Sequence, residues 1–182
     1  MNNWEKITAE EFCTKVTDGT HDSPKGKSSG YKLITSKNLK EYEIDFQSAK
    51  YISESDYQKI ILRSFVEQGD ILFSMIGTIG NIYLEKNICP QYACKNVGIF
   101  KFGGDMDKAY WMYYFLKSSL AKAYINAQLC GSTQSYISLG SLRNFPVIIP
   151  PMEIRNNIVS ILKTIDDKIL VNRKINDNLR IA

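Results

Sequence analysis

The sequence predicts an α+β fold, a mixed-sheet domain followed by one long C-terminal helix of the coiled-coil-forming kind, and three features carry that prediction. Short β-branched and aromatic runs mix with helical segments irregularly, without the strict strand-helix repeat of a parallel α/β sheet. Residues 106–127 hold a helical pattern with Tyr110, Trp111, Tyr113, Tyr114 and Phe115, suited to covering a sheet. The stretch after Ile149-Pro150-Pro151 then runs to the C-terminus without another Pro or Gly. In it Ile158, Leu162, Ile165, Ile169, Asn172, Asn176 and Leu179 fall at spacings of 4, 3, 4, 3, 4 and 3. A stripe this narrow and regular is the seam of a helix made for another helix. The expected division is a domain over residues 1–150 and a helix over 151–182.

Taken in order, Trp4 to Val16 reads as a short strand and a helical turn. Thr17 to Ser29, with Asp18-Gly19, Ser23-Pro24 and Gly26, reads as a loop. Tyr31 to Thr35 is a strand, and Glu54 to Ile61 a short helix capped by Ser53, with Glu54 and Asp56 at the positive end of its dipole. Asp70 to Met75 and Ile79 to Leu84 are strands joined at Gly77-Thr78. In the strand from Asn96 to Phe102, Val97, Ile99 and Lys101 face one way and Gly98, Phe100 and Phe102 the other. Gly131 to Tyr136 is a polar loop, Leu139 to Phe145 a short helix and Val147 to Ile149 a closing strand. The last helix starts after Pro150-Pro151, with Glu153 in its first turn and Arg173, Lys174 and Arg180 near its negative end. It would be about 43 Å long, enough to overhang a domain with a radius of gyration of about 15 Å. It is therefore expected to stand clear of its own domain. Asn172 and Asn176 at core heptad positions weaken packing but favour a single register.

The 182 residues are 44% hydrophobic and 12% aromatic, which fits a folded chain and excludes general disorder. No apolar run approaches the ~18 residues of a membrane span, and the N-terminus lacks the apolar core of a signal peptide. A cytoplasmic location without membrane contact is expected. Cys13, Cys89, Cys94 and Cys130 have no paired spacing, and with one histidine in the chain a zinc shell would be incomplete, so they read as small thiols. The net charge is +4. Residues 1–150 are almost balanced, with 17 basic and 15 acidic side chains, yet Lys25, Lys27, Lys32, Lys37 and Lys40 crowd one window opposed only by Asp22.

Enzymatic readings fare poorly. Gly26-Lys27-Ser28-Ser29 looks like the tail of a phosphate-binding loop, but six residues separate Gly19 from Gly26 where four are required, and Pro24 sits inside the cradle. His21 lies beside Asp18 and Asp22 without a recognisable nucleophile motif. A methyltransferase motif of the Asn/Asp-Pro-Pro-aromatic type is also missing, because Pro150-Pro151 follows Ile149 and precedes Met152.

One ordered set of motifs spans the chain: Asp18-Gly19-Thr20-His21-x-Ser23-Pro24, Ile34-Thr35-Ser36-Lys37-Asn38-Leu39, Gly69-Asp70-Ile71-Leu72, Gly77-Thr78-Ile79-Gly80, and Ile149-Pro150-Pro151 before the helix. The set resembles the target-recognition domain and helix of type I restriction-modification specificity subunits. Members usually carry two recognition domains and two helices, so this chain resembles a half-subunit.

The resemblance implies a non-catalytic DNA-binding chain that dimerises through its helix, with itself or with another half-subunit, the helices antiparallel about a two-fold axis. Each domain would dock in the major groove of double-stranded DNA on one half of a gapped site, the helices setting the gap at about one turn, ~34–36 Å. Catalysis would belong to partners: a modification subunit that uses S-adenosylmethionine to methylate adenine, and a translocase-nuclease restriction subunit. No cofactor would bind this chain.

The candidate DNA contacts are His21, Ser23, Lys25, Lys27 and Ser28, then Lys37, Asn38 and Lys40, Thr78 in its glycine-flanked turn, and the polar loop Ser132, Thr133, Gln134 and Tyr136. The Asp18 to Pro24 motif is expected to shape its loop or meet backbone phosphate, because base-reading positions must vary with the target. Two rivals stand beside this reading: a helix-mediated interaction module that acts as a decoy or inhibitor of a restriction complex without touching DNA, and a phosphate-handling enzyme built on Gly26 to Ser29.

Overall fold

The computed structural model describes residues 4–131 and 134–181. Along the chain run β1 (Glu5–Thr8), α1 (Ala9–Phe12), β2 (Lys15–Asp18), β3 (Tyr31–Thr35), a 3-10 turn (Ser36–Asn38), β4 (Lys50–Ile52), α2 (Glu54–Ser64), β5 (Ile71–Ser74) and β6 (Ile82–Leu84). Then come β7 (Tyr92–Lys95), β8 (Val97–Lys101), α3 (Met106–Lys117), α4 (Ser119–Ala127), α5 (Leu139–Arg143), β9 (Pro146–Ile149) and α6 (Met152–Ile181). The class is α+β with mixed sheets, as the sequence predicts.

Of three sheets among the described residues, the smallest is the antiparallel β1-β9 pair, and the other two pack face to face between helices. One is antiparallel, in the order β2-β8-β5-β6, and the other runs β4-β3-β7, with β3 and β7 parallel. Strand pleating assigns the faces. Ile71 and Phe73 of β5 and Phe100 of β8 join α3 and α4 in the largest core, where the Phe73 and Phe100 rings meet edge to face at 6.2 Å. Leu72, Val97 and Ile99 turn the other way and meet Ile34, Tyr92 and Cys94 of the second sheet. Leu33 and Ala93 face outward against Tyr57 and Ile60 of α2. The layers are thus helix, sheet, sheet, helix, and the facing expected for Val97 to Phe102 is the one observed.

Most elements lie where the sequence places them, and the departures have local causes. The predicted helix over 106–127 is two helices, because Ser118 takes extended backbone, closes α3 through Phe115 O at 3.0 Å and caps α4 by accepting Ala121 N–H at 3.2 Å. The predicted loop from Thr17 begins only after β2, and α2 continues to Ser64. β2, β4 and β7 were unforeseen; β7 pairs with β3 across some 60 residues of chain, a partnership without a local signal.

The long helix departs most from expectation, since it lies against its own domain. Ile158, Val159 and Leu162 pack on the largest core. Asp166 lies 3.6 Å from Lys117 Nζ and accepts Tyr42 Oη–H at 3.4 Å, while Lys163 sits 4.7 Å from the centroid of the Tyr110 ring. Of the predicted seam, Ile158, Leu162 and Ile169 are half-buried and Ile165, Asn172, Asn176 and Leu179 are exposed. The apolar strip that faces solvent is Ile154, Ile161, Ile165, Ile175 and Leu179, with Asn172 in line. Ile161 and Ile175 therefore stand where Leu162 and Asn176 were expected, a shift of one position around the helix. Among the described residues no helix is long and apolar enough to cross a membrane.

Candidate nucleic-acid interface

The polar loops converge at one end of the two sheets. Asp18, the last residue of β2, is buried, accepts a hydrogen bond from the Arg63 guanidinium and lies 3.0 Å from His21 Nε2. Gly19 and Thr20 then cross to the second sheet, Gly19 N–H donating to Val97 O and Thr20 N–H to Cys94 O, each at 2.9 Å. A Cβ on Gly19 would overlap the Cys94 carbonyl, so glycine is required by the close approach. His21 Nδ1 lies 2.8 Å from Asn96 Oδ1. The Asp-Gly-Thr-His motif therefore builds the turn, one of the two roles expected of it.

A second loop meets the first. Tyr136 pairs with Cys130 through two backbone hydrogen bonds of 2.9 Å and bridges to Ile76, and Gly77 N–H donates to Ser135 O at 3.5 Å. Ser74 Oγ–H donates to Thr78 O at 2.5 Å, leaving the Thr78 side chain exposed. His21, Arg63, Ile76, Asn96, Tyr136 and Ser138 surround an open cleft of about 240 Å³. Lys37 borders the same region, because Ser36 Oγ accepts Met75 N–H at 3.2 Å and donates to Asn96 O at 3.0 Å.

Of the predicted contacts, the structure brings His21, Lys37, Thr78, Gln134 and Tyr136 to this end, all five exposed. Ser132 and Thr133 lie outside the described residues. Lys25, Lys27 and Ser28 are exposed but run along the β4 edge, where Lys27 N–H donates to Tyr51 O at 2.9 Å and Lys50 Nζ to Pro24 O at 2.7 Å. Ser23 is taken by Lys95 Nζ, and Lys40 Nζ by the Lys37 carbonyl at 2.9 Å. Among the described residues none of Lys25, Lys27, Lys37 and Lys40 joins an ion pair with a carboxylate.

Asn38 requires a correction. It is 1% exposed; Oδ1 accepts from Thr35 N–H and Oγ1–H, and Nδ2 donates to Asp45 O and Ser48 Oγ. All its hydrogen-bonding capacity is spent on holding the turn after β3, so no base edge is within its means. Asn96, Arg63 and Lys95, which do border the loops, were not among the predicted residues. The polar pair Lys95-Asn96 between two apolar strands was the signal available.

The arrangement supplies exposed cations, hydroxyls and amides on preorganised loops, a surface suited to a polyanion. Burial pushes the Cys13 thiol up to about 12 and raises Cys94 as well, and the His21 ring nitrogens are held by Asp18 and Asn96. Among the described residues no group of three or more His, Cys, Asp or Glu is placed to hold a metal ion.

Comparison with known proteins gives a consistent result. A curated relative, the type I restriction enzyme MjaVIII specificity subunit of Methanocaldococcus jannaschii, is 26% identical over 188 residues, covering 99% of this chain and 43% of its own length. The fold is shared with three solved structures. A protein from a study of complex assembly in the type I R-M system aligns with TM-score 0.63 and 16% identity, over 94% of this chain and 40% of that one. The type I S subunit from M. genitalium aligns with TM-score 0.57 and 19% identity, over 97% and 44%. The HsdS subunit from Thermoanaerobacter tengcongensis aligns with TM-score 0.59 and 13% identity, over 94% and 44%. The chain thus spans less than half the length of each. The family model described as type I restriction modification DNA specificity domain matches residues 1–180, and the chain belongs to that family.

Proposed function

We propose that this chain is a DNA sequence-recognition subunit of a type I restriction-modification system, a half-subunit in which residues 1–150 read one half of a bipartite site and residues 151–182 set the spacing to a second half. The observation that carries the reading is the convergence of three polar loops, around His21, Thr78 and Tyr136, at one end of the sheets, bordered by Lys37, which pairs with no carboxylate among the described residues. Lys25, Lys27 and Lys37 hold phosphates, a term that carries affinity but no sequence information. Gln134 and Tyr136 reach toward base edges.

The second unit is another copy or a different half-subunit, joined along the outward strip Ile154, Ile161, Ile165, Asn172, Ile175 and Leu179. A homodimer reads a gapped palindrome and a heterodimer an asymmetric site. The chain performs no chemistry and binds no cofactor; it directs a modification subunit that uses S-adenosylmethionine to methylate adenine, and a restriction subunit that cleaves.

Titration of the chain with random-sequence duplex at several salt concentrations tests the reading. Affinity should fall steeply and log-linearly with salt. An interaction module without DNA contact of its own, the alternative favoured by the apolar strip on α6, would dimerise but show no such binding.

A further inference from the structure

Among the described residues Asn96 is the only one other than glycine with a positive φ, at 53°. It stands where the chain leaves β7 in one sheet and enters β8 in the other. Left-handed backbone is costly for L residues, somewhat less so for Asn, and persists where surroundings over-determine it. Here they do. Asn96 N–H donates to Thr20 O at 3.1 Å, its carbonyl accepts Ser36 Oγ–H at 3.0 Å, and its Oδ1 meets His21 Nδ1 at 2.8 Å. His21 is itself anchored, since Nε2 lies 3.0 Å from Asp18 Oδ2 and the other Asp18 oxygen takes Arg63. The imidazole is thus wedged between the Asp18 carboxylate on one side and the Asn96 side-chain oxygen on the other. One group of Asn96 is left without a partner among the described residues: the Nδ2 amino group, on a side chain bordering the open cleft beside Tyr136 and Ile76.

We infer that Asn96 is a specificity-determining residue whose Nδ2 reads a hydrogen-bond acceptor on a base edge, guanine O6 or N7 or thymine O4. The inference rests on the proposed reading of this end of the molecule as a DNA surface. With Oδ1 turned to His21, the outward atom is a donor, and a cytosine N4 amino group in the same place would set donor against donor. The chain of Arg63, Asp18 and His21 fixes the amide before DNA arrives, as accurate base reading needs. His21 is then a positioning residue.

A purely structural role predicts otherwise and is separable, because glycine adopts left-handed backbone freely. Asn96→Gly keeps the turn and removes only the amide. Bound duplexes are selected from a random-sequence pool by the chain, by Asn96→Gly and by the isosteric Asn96→Asp, with thermal melts recorded for each. Asn96→Gly should melt like the parent, bind random duplex equally well, and enrich the parent motif with one guanine or thymine position relaxed. Affinity for the full parent motif should drop about 10-fold, the scale of one good base contact. Recovery of the parent motif with every position retained overturns the inference while leaving DNA reading intact. Should Asn96→Gly melt early, Asn96→Asp decides, because it exchanges the outward donor for an acceptor. A shift of one position toward cytosine or adenine is expected, and an unchanged preference overturns the inference. A parent chain that enriches no motif at all would instead remove the reading of the chain as a DNA-recognition subunit, and this inference with it.

Discussion

Arg173, near the end of the long helix, rests its guanidinium carbon 4.3 Å from the centroid of the Tyr42 ring and reaches Glu41 Oε2 at 3.1 Å. Lys117 Nζ lies 4.5 Å from the centroid of the same ring, and Tyr42 Oη–H donates to Asp166 at 3.4 Å. One tyrosine thus ties the loop after β3, the end of α3 and two turns of α6 together. The helix is anchored from Ile158 to Arg173 and offers its opposite side to solvent.

Replacing Tyr42 by Ala should loosen that anchor. Two cation-π contacts and a hydrogen bond disappear, together about 1–2 kcal/mol. Hydrogen exchange should accelerate over residues 163–175 and stay unchanged in β5 and β8. Equal protection in the variant would mean that apolar packing at Ile158 and Leu162 alone docks the helix.

The two sides of α6 should respond to substitution in opposite ways. Changing Ile161, Ile165 and Ile175 together to Gln should abolish self-association in light scattering while leaving the melting temperature of the domain nearly unchanged. Changing Ile158 and Leu162 to Ala should lower stability by about 2–4 kcal/mol, since these side chains pack on the main core. The reverse pattern would return the pairing seam to the heptad read from the sequence.

That shift of the seam shows where sequence reasoning reaches and where it stops. A repeat of apolar residues identifies a helix and its length, but α6 carries two faces whose positions interleave. The domain-facing one, through Lys163, Asp166 and Arg173, is held by ion pairs and cation-π contacts that leave no apolar period. Strands β5 and β8 were legible because alternate residues fill two cores. β7 was not, its partner β3 lying far away in sequence. At the site, His21, Thr78 and Tyr136 were legible as polar residues in turn-rich loops. Asn38 looked equivalent to them, yet its own turn consumes all four of its hydrogen bonds, and Asn96 passed for the first residue of a strand because the turn needing left-handed backbone exists only when two sheets are stacked.

Asp70 makes stability depend on pH. It is wholly buried; Oδ2 receives Lys101 Nζ at 2.6 Å and Glu67 N–H at 2.9 Å, and Oδ1 has no partner among the described residues. Burial outweighs Lys101 and pushes the carboxyl up to about 6 from its ordinary 3.8. The folded state therefore binds the proton more tightly, and this group's contribution to stability is full below about pH 4 and lost as pH rises through 6. Relative to Asp70→Asn, the parent should gain on the order of 2–3 kcal/mol in denaturant melts between pH 7 and pH 4. A parent that loses ground toward low pH would show that the Lys101 pair dominates.

Lys25 and Lys27 should act without regard to sequence. Their joint change to Ala should weaken binding to every duplex equally and lower the salt slope by up to about 0.9 for each phosphate no longer held. Unchanged affinity at several salt concentrations would leave the β4 edge as an ordinary solvated surface and confine the DNA face to the cleft around Asn96.

Adenine methylation mapped across the genome of cells that express this chain with its modification subunit tests the central claim most directly. Methyladenine is expected at one gapped motif of two half-sites, palindromic when this chain is the sole recognition subunit, and the motif should vanish when Ile161, Ile165 and Ile175 are made polar. Methylation at a single ungapped half-site, or a pattern indifferent to the presence of the chain, would contradict the account.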